Sequence, residues 1–210
     1  MKLEATWLAP ALLLAALPFA RGGLFTAAPQ EPADVAATPG GTYEVDPIRS
    51  SVLFKVRHAD VSWFYGTFED VSGAVTVGAT PAESSVTVEV PVASLRTRDA
   101  ERDEHLLGPD FLVAREFPTV RFASTAVEEL RPDLWRVAGT LELRGRSRPL
   151  EIEVARTGQG STWLADFRAG FETRFTIGAE DFGLGYATKM DASMLGREIE
   201  LIVALECVRR

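Results

Sequence analysis

From Thr42 onward apolar and polar residues change places at nearly every step, the period of a β-strand with one buried face. Residues 51–58, SVLFKVRH, put Val52, Phe54, Val56 and His58 on one face and Leu53, Lys55 and Arg57 on the other. Residues 84–92 set Val86, Val88, Val90 and Val92 against Ser85, Thr87 and Glu89. The same alternation carries Trp135, Val137, Gly139, Leu141 and Leu143, then Leu150, Ile152 and Val154. Residues 162–177 read as one long strand with Trp163, Ala165, Phe167, Ala169, Phe171, Thr173, Phe175 and Ile177 on a single face. Ile199, Leu201, Val203, Leu205 and Cys207 close the series, and shorter runs near Tyr43, Phe68 and Phe122 complete it.

Turn-forming residues at 78–81, 131–133, 145–147 and 158–160 separate these runs, at a spacing that suits hairpins with short loops. About eight strands result, mostly sequential neighbours and so antiparallel. With few helices to cover them, their apolar faces must be buried by closing the sheet on itself or by folding it into a sandwich. Two features favour a barrel with a cavity. Gly170 lies inside a long strand, where a corner needs a bend. The inward set also mixes small with large residues, Ala165 and Ala169 with Phe167 and Phe171. The alternative is a solid interior, in which facing strands fill those gaps.

Residues 97–118, TRDAERDEHLLGPDFLVAREFP, break the alternation. Asp99 or Asp103 can cap a helical turn, and residues 109–112 form a second short turn, so a helical insert is expected near residues 99–114. Lying between two strands, it is placed to cover one barrel mouth. Arg102, Asp103 and His105 would pin it, and Leu106, Phe111 and Leu112 would face the opening.

Composition excludes several classes of function. The chain carries a formal net charge of −8, which repels nucleic-acid phosphates and anionic lipid headgroups. One cysteine, Cys207, and two histidines leave no intrachain disulfide and no Cys-rich metal pattern. The N-terminus differs from the rest: residues 5–20 are apolar, and a stretch rich in Pro and Ala follows. This reads as a signal peptide or N-terminal anchor over residues 1–23 and a disordered linker over 24–41, with the domain at 42–209. A periplasmic or secreted location is expected, with membrane contact only through an uncleaved N-terminal segment.

No catalytic constellation is visible. There is no Gly-x-Ser-x-Gly elbow, and neither histidine has the H-x-H or H-E-x-x-H spacing of metal ligands, so no catalytic residue, metal or cofactor is assigned. The competing reading is an enzyme acting on a lipid through a metal held by His58 and His105.

Five stretches, taken in order, resemble the YceI-like polyisoprenoid-binding family: YEVDPIRSSVLFKVRH, GTFEDVSGAV, RDEHLLGPDFL with EFPTVRFAST, VAGTLELRGRSRPLEIEV and EDFGLG. The resemblance covers residues 42–208. It implies an all-β, eight-stranded antiparallel lipocalin-like barrel whose cavity holds a polyisoprenoid or another long-chain lipid, export from the cytoplasm, and a homodimer. Where the family commonly has histidine this chain has Arg49, so no role of that histidine transfers. With the resemblance, the expected ligand-binding residues are Phe54, Val56, His58, Phe68, Val88, Leu106, Phe111, Phe122, Phe167 and Phe171.

Overall fold

The computed structural model describes residues 37–163, 165–184 and 195–210. The expected leader, 1–23, and the linker as far as residue 36 lie outside them. The described strands form one antiparallel sheet. Its first half comprises β1 (Gly41–Val45), β2 (Ser51–His58), β3 (Ser62–Phe68), β4 (Ser72–Val77), β5 (Ser85–Pro91) and the two-residue β6 (Leu95–Arg96). After the helix α1 (Ala100–Leu107) come β7 (Thr119–Arg131), β8 (Leu134–Leu143), β9 (Arg146–Ser161), β10 (Phe167–Gly178) and β11 (Leu195–Arg209).

These segments reduce to eight tracks of a closed barrel. The edge of β11 is shared: Cys207 to Arg209 pair with β1, and Leu195 to Ala204 pair with β2. Thus β1 and β2 form one interrupted strand. By the same logic β3 continues into β4, and β5 into β6. Each track then pairs with its neighbours in sequence, and the last returns to the first, closing the eight-stranded antiparallel barrel.

The interruptions have local causes. Pro47 cannot donate to a ladder, and the Asp46 carboxylate accepts from the Ile48 amide at 3.0 Å, turning the chain. Pro91 ends β5, and a 3-10 turn follows at Val92–Ser94. Backbone hydrogen bonds stitch across the gaps, from the Asp46 amide to the Glu206 carbonyl at 2.8 Å and from the Glu69 amide to the Ser94 carbonyl at 3.0 Å.

Curvature comes from glycine and a bulge. The expected bend at Gly170 is present: Gly170 faces Gly158 but Phe171 faces Arg156, so Thr157 is the extra residue. The Phe54 ring lies over its cross-strand partner Gly66, where an added Cβ would stand 2.2 Å from Phe54 Cζ.

Two expectations are corrected at this corner. Gly158 and Gly160 do not make a turn; both lie within β9, paired to β10. The chain reverses at residues 162–166 instead, with Ala165 at φ 61 and Trp163 88% exposed, so β10 begins only at Phe167. Alternation alone counted the turn as strand, because a Trp and an Ala happened to fall on the apolar phase.

The helical insert is present over a shorter span. Asp99 caps α1, its side chain accepting from the Arg102 amide, and residues 108–117 continue as turns. Thr97 holds the insert. Its hydroxyl donates to Asp103 Oδ1 at 2.5 Å and accepts from Arg102 Nε at 2.8 Å. Thr97 and Asp103 are both buried, so each needs these partners. The Arg102 guanidinium lies 4.7 Å from the centroid of the Phe64 ring and joins α1 to β3.

On the barrel's outer surface Arg168 ties three carboxylates together: Asp46 at 2.7 Å, Glu206 at 2.6 Å and Asp166 at 2.8 Å. Arg49 adds a 2.8 Å bond to Asp46. The Arg168 bond is the largest influence holding the Asp46 carboxyl down at about 2.

Thr97→Val keeps the shape of the side chain but strips Arg102 and buried Asp103 of a partner. It should cost about 2 kcal/mol in denaturant unfolding and speed amide exchange across α1 before the barrel strands. Because the folded state depresses the Asp46 pKa, its contribution is complete above about pH 4 and disappears as pH falls toward 2. Asp46→Asn should therefore lower stability by about 1 kcal/mol at pH 7, and the gap from the parent should shrink on acidification, as read from unfolding midpoints across that range.

Candidate functional site

Buried apolar residues gather in two clusters. One joins Tyr43, Val45, Val52, Val71, Val75, Ala169, Phe171, Leu205 and Cys207, and reaches the barrel end that carries Gly41, Arg209 and the β9–β10 turn. The other joins Phe122, Val137, Leu141, Leu143, Ile152, Ile177, Phe182 and Leu184, toward the end of the β8–β9 turn. Inward-facing residues lie against both clusters without being buried. Val120, Trp135 and Val154 touch both; Phe68, Val88, Phe167 and Val203 touch the first, and Phe175, Ile199 and Leu201 the second. All of these are half-buried. Solvent reaches side chains that alternation aims at the interior, which a wall packed to ordinary density would exclude.

The expected site residues divide accordingly. Phe54, Val56, Phe68, Val88 and Phe167 are half-buried on inward positions. Phe54 stacks at 6.3 Å from Phe64 and 5.8 Å from Phe68, and Phe167 meets Tyr43 edge-on at 6.4 Å. Phe122 and Phe171 are buried within the two clusters, and Phe171 lies 6.3 Å from Trp135. In the insert Leu106 is half-buried and Phe111 buried, the latter edge-on to His105 at 5.2 Å.

His58 is a correction. Its phase in β2 points inward, but it is the last residue of the strand, opposite Ser62 and Leu195, and it is exposed. The hairpin turns there, and alternation no longer governs burial. His105 is also exposed, 4.0 Å from Asp110. Among the described residues no group of three or more His, Cys, Asp or Glu side chains is arranged to hold a metal ion.

Several residues of the interior lay outside the expected site. Trp135, Leu201 and Val203 lie on the inward phase that the alternation gave them. Arg156 gave no such signal. Its side chain is 3% exposed, a guanidinium at the same end as Arg209, paired with Asp133 and bonded to Gln159 Oε1 and Thr38 Oγ1 at 2.6 Å each. Tyr43, nearby, donates its hydroxyl to the Pro39 carbonyl at 2.7 Å. Residues 38–40, counted with the linker from sequence, thus hold to the barrel, and Arg209 donates to the Gly40 carbonyl at 2.7 Å. Burial pushes the Tyr43 phenol up, and pushes the Cys207 thiol up to about 12, so neither is a nucleophile near neutral pH.

The chemistry on offer is therefore an apolar, solvent-reached wall, closed at one end by the Arg156 cluster and flanked at the other by the insert. Outside the wall, between β3 and the insert, runs an open groove of about 1990 Å³. Leu53, Trp63, Tyr65, Thr97, Arg102 and Leu107 contribute to its lining.

Comparison with known proteins agrees with this architecture. The YceI-like domain pattern matches residues 43–207. A UPF0312 protein of Azotobacter vinelandii is 36% identical over 160 residues, covering 76% of this chain and 81% of its own. Protein YceI of Escherichia coli has the same identity over the same length, with the same coverage. Among solved structures, Burkholderia cenocepacia BcnA superposes with a TM-score of 0.70 at 22% identity, covering 77% of this chain and 98% of its own. A polyisoprenoid binding domain from Saccharophagus degradans superposes with a TM-score of 0.62 at 16% identity, covering 80% and 98%. With the barrel, the ordered motifs and the match across residues 43–207 in agreement, the chain belongs to the YceI-like family.

Proposed function

We propose that this protein is an exported lipid-binding protein that holds a polyisoprenoid or similar long-chain amphiphile inside its barrel. The observation that carries the reading is the half-exposure of Phe54, Val88, Trp135, Val154, Phe167, Leu201 and Val203 on inward positions. An apolar wall open to water is unfavourable, and a guest chain that replaces the water removes the cost. Each methylene transferred contributes roughly 0.8 kcal/mol, so a chain of a dozen or more carbons outweighs an association cost of several kcal/mol with no strong polar bond. The Saccharophagus degradans neighbour, described as a polyisoprenoid binding domain, supports the choice of guest. The apolar residues 5–20 support export to the periplasm or beyond.

The same wall favours binding over catalysis. Its polar groups sit at the closed end, where Arg156 and Tyr43 are already engaged. Asp103 and Thr97 in the insert satisfy each other.

Organic extraction of the purified chain, followed by mass spectrometry, should recover a long-chain lipid in stoichiometric amount. Recovery of lipid-free protein that also takes up no long-chain probe would remove the reading. Leu201→Trp places an indole beside Phe54, across the middle of the wall. It should cut the bound lipid per protein several-fold while the unfolding midpoint holds or rises. Unchanged lipid content in that variant would put the guest elsewhere.

A further inference from the structure

We propose that the β2–β3 hairpin is a membrane-docking face, through which the barrel meets an anionic phospholipid surface. The proposal rests on the carrier reading above for its purpose, though not for its geometry. Among the described residues five large hydrophobic side chains are markedly exposed, and three of them share this hairpin: Val61 at 82%, Trp63 at 44% and Tyr65 at 56%. Trp63 and Tyr65 occupy the outer phase of β3, where a barrel that met only water would carry polar residues. Trp and Tyr are the side chains suited to the headgroup layer, apolar in body and polar at the tip.

Cations surround them. Lys55 Nζ lies 4.5 Å from the Trp63 ring centroid and Arg57 Cζ 5.2 Å. Lys55 is paired with Glu200, but among the described residues Arg57 has no carboxylate at ion-pair distance, and neither have Arg98 and Arg115 on the groove beside the hairpin. Asp60, Glu69, Asp99, Glu101 and Glu104 share this rim, so charge alone does not hold it to a bilayer; the aromatics insert, and Lys55 and Arg57 against the Trp63 ring favour anionic headgroups there. A second copy of the chain is the other occupant such a face could take, and sedimentation distinguishes it. The rest of the surface, in a chain of net charge −8, repels an anionic bilayer and so orients this face toward it.

The wall is weakest at the same place. Only Thr67 and Phe68 of β3 pair with β6, so from Ser62 to Gly66 one edge of β3 has no strand partner among the described residues. The groove of about 1990 Å³ lies along that edge, with Phe64 at its border under Arg102. A face that inserts Trp63 into headgroups sets this unsealed seam against the lipid, and a chain that water does not solvate needs such a route.

Docking is tested with the full chain on phosphatidylcholine–phosphatidylglycerol vesicles whose acyl chains are brominated to quench tryptophan. Quenching should exceed that of the Trp63→Phe variant, should be unaffected by Trp163→Phe at the opposite barrel end, and should weaken in high salt. Equal quenching in the parent and Trp63→Phe overturns the proposal. So does a mass in sedimentation that falls when Trp63 and Tyr65 are both changed to Ser, since the face would then hold a second copy. Cargo transfer is read separately with a fluorescent geranylgeraniol. The Trp63→Ser, Tyr65→Ser pair should slow its transfer from vesicles at least five-fold and leave loading from detergent unchanged. An unchanged vesicle rate also counts against the proposal. A parent chain that loads no probe by either route loses the carrier reading, while the quenching still decides the docking face.

Discussion

The structure depends on one edge of β11. A sheet with a free edge leaves amides and carbonyls without partners, and in this chain the edge is divided between β1 at its end and β2 along its length. That division lets a long first track bend at residues 46–50 and still close the ring. The outer charge network sits at this bend, with Arg168, Asp46, Glu206 and Arg49 in contact. Arg49 is thus a second cation that answers the same carboxylate. It adds a bond without creating a titratable switch.

Closure in this form separates stability from function. The two packed clusters are distinct sets of buried residues, and the inward side chains that touch them keep solvent contact. A barrel whose inner wall is left unfilled gives up dispersion contacts there. Ladder hydrogen bonds around the ring and the packed clusters must offset that loss. The polar groups follow the same division: Arg156 and Tyr43 lock residues 38–40 to one end, and Thr97 clamps the insert at the other. The polar groups of both sites bond within the chain itself, which leaves apolar surface as the main thing the interior offers to a guest.

Much of this was legible from residue order. Strand phase, antiparallel sequence, the bend at Gly170 and the insert after Thr97 all follow from spacing, because a period of two and a capping aspartate are local signals. The inward positions of Phe54, Val88 and Phe167 follow too. The errors fell where local phase stops governing burial. His58 sits at a strand end and Trp163 in the β9–β10 turn, where the chain turns away and a residue in phase is exposed. Gly158 and Gly160 look like a turn, yet pairing with β10 keeps them in a strand. Arg156 is charged and buried, and no window of sequence announces that Asp133, Gln159 and Thr38 converge on it.

The sequence by itself determined that this chain makes a one-sided antiparallel sheet, interrupted by a capped helix, with an apolar face to hide and no metal or nucleophile pattern on it. These follow from interactions between residues close along the chain. Only the tertiary structure decided that eight tracks close through a shared edge, that the inward wall stays open to solvent between packed clusters, and that Trp63 and Tyr65 stand exposed beside an unpaired seam. Those outcomes depend on ring closure and on contacts between residues far apart in the chain, and neither is written into the alternation of any single strand.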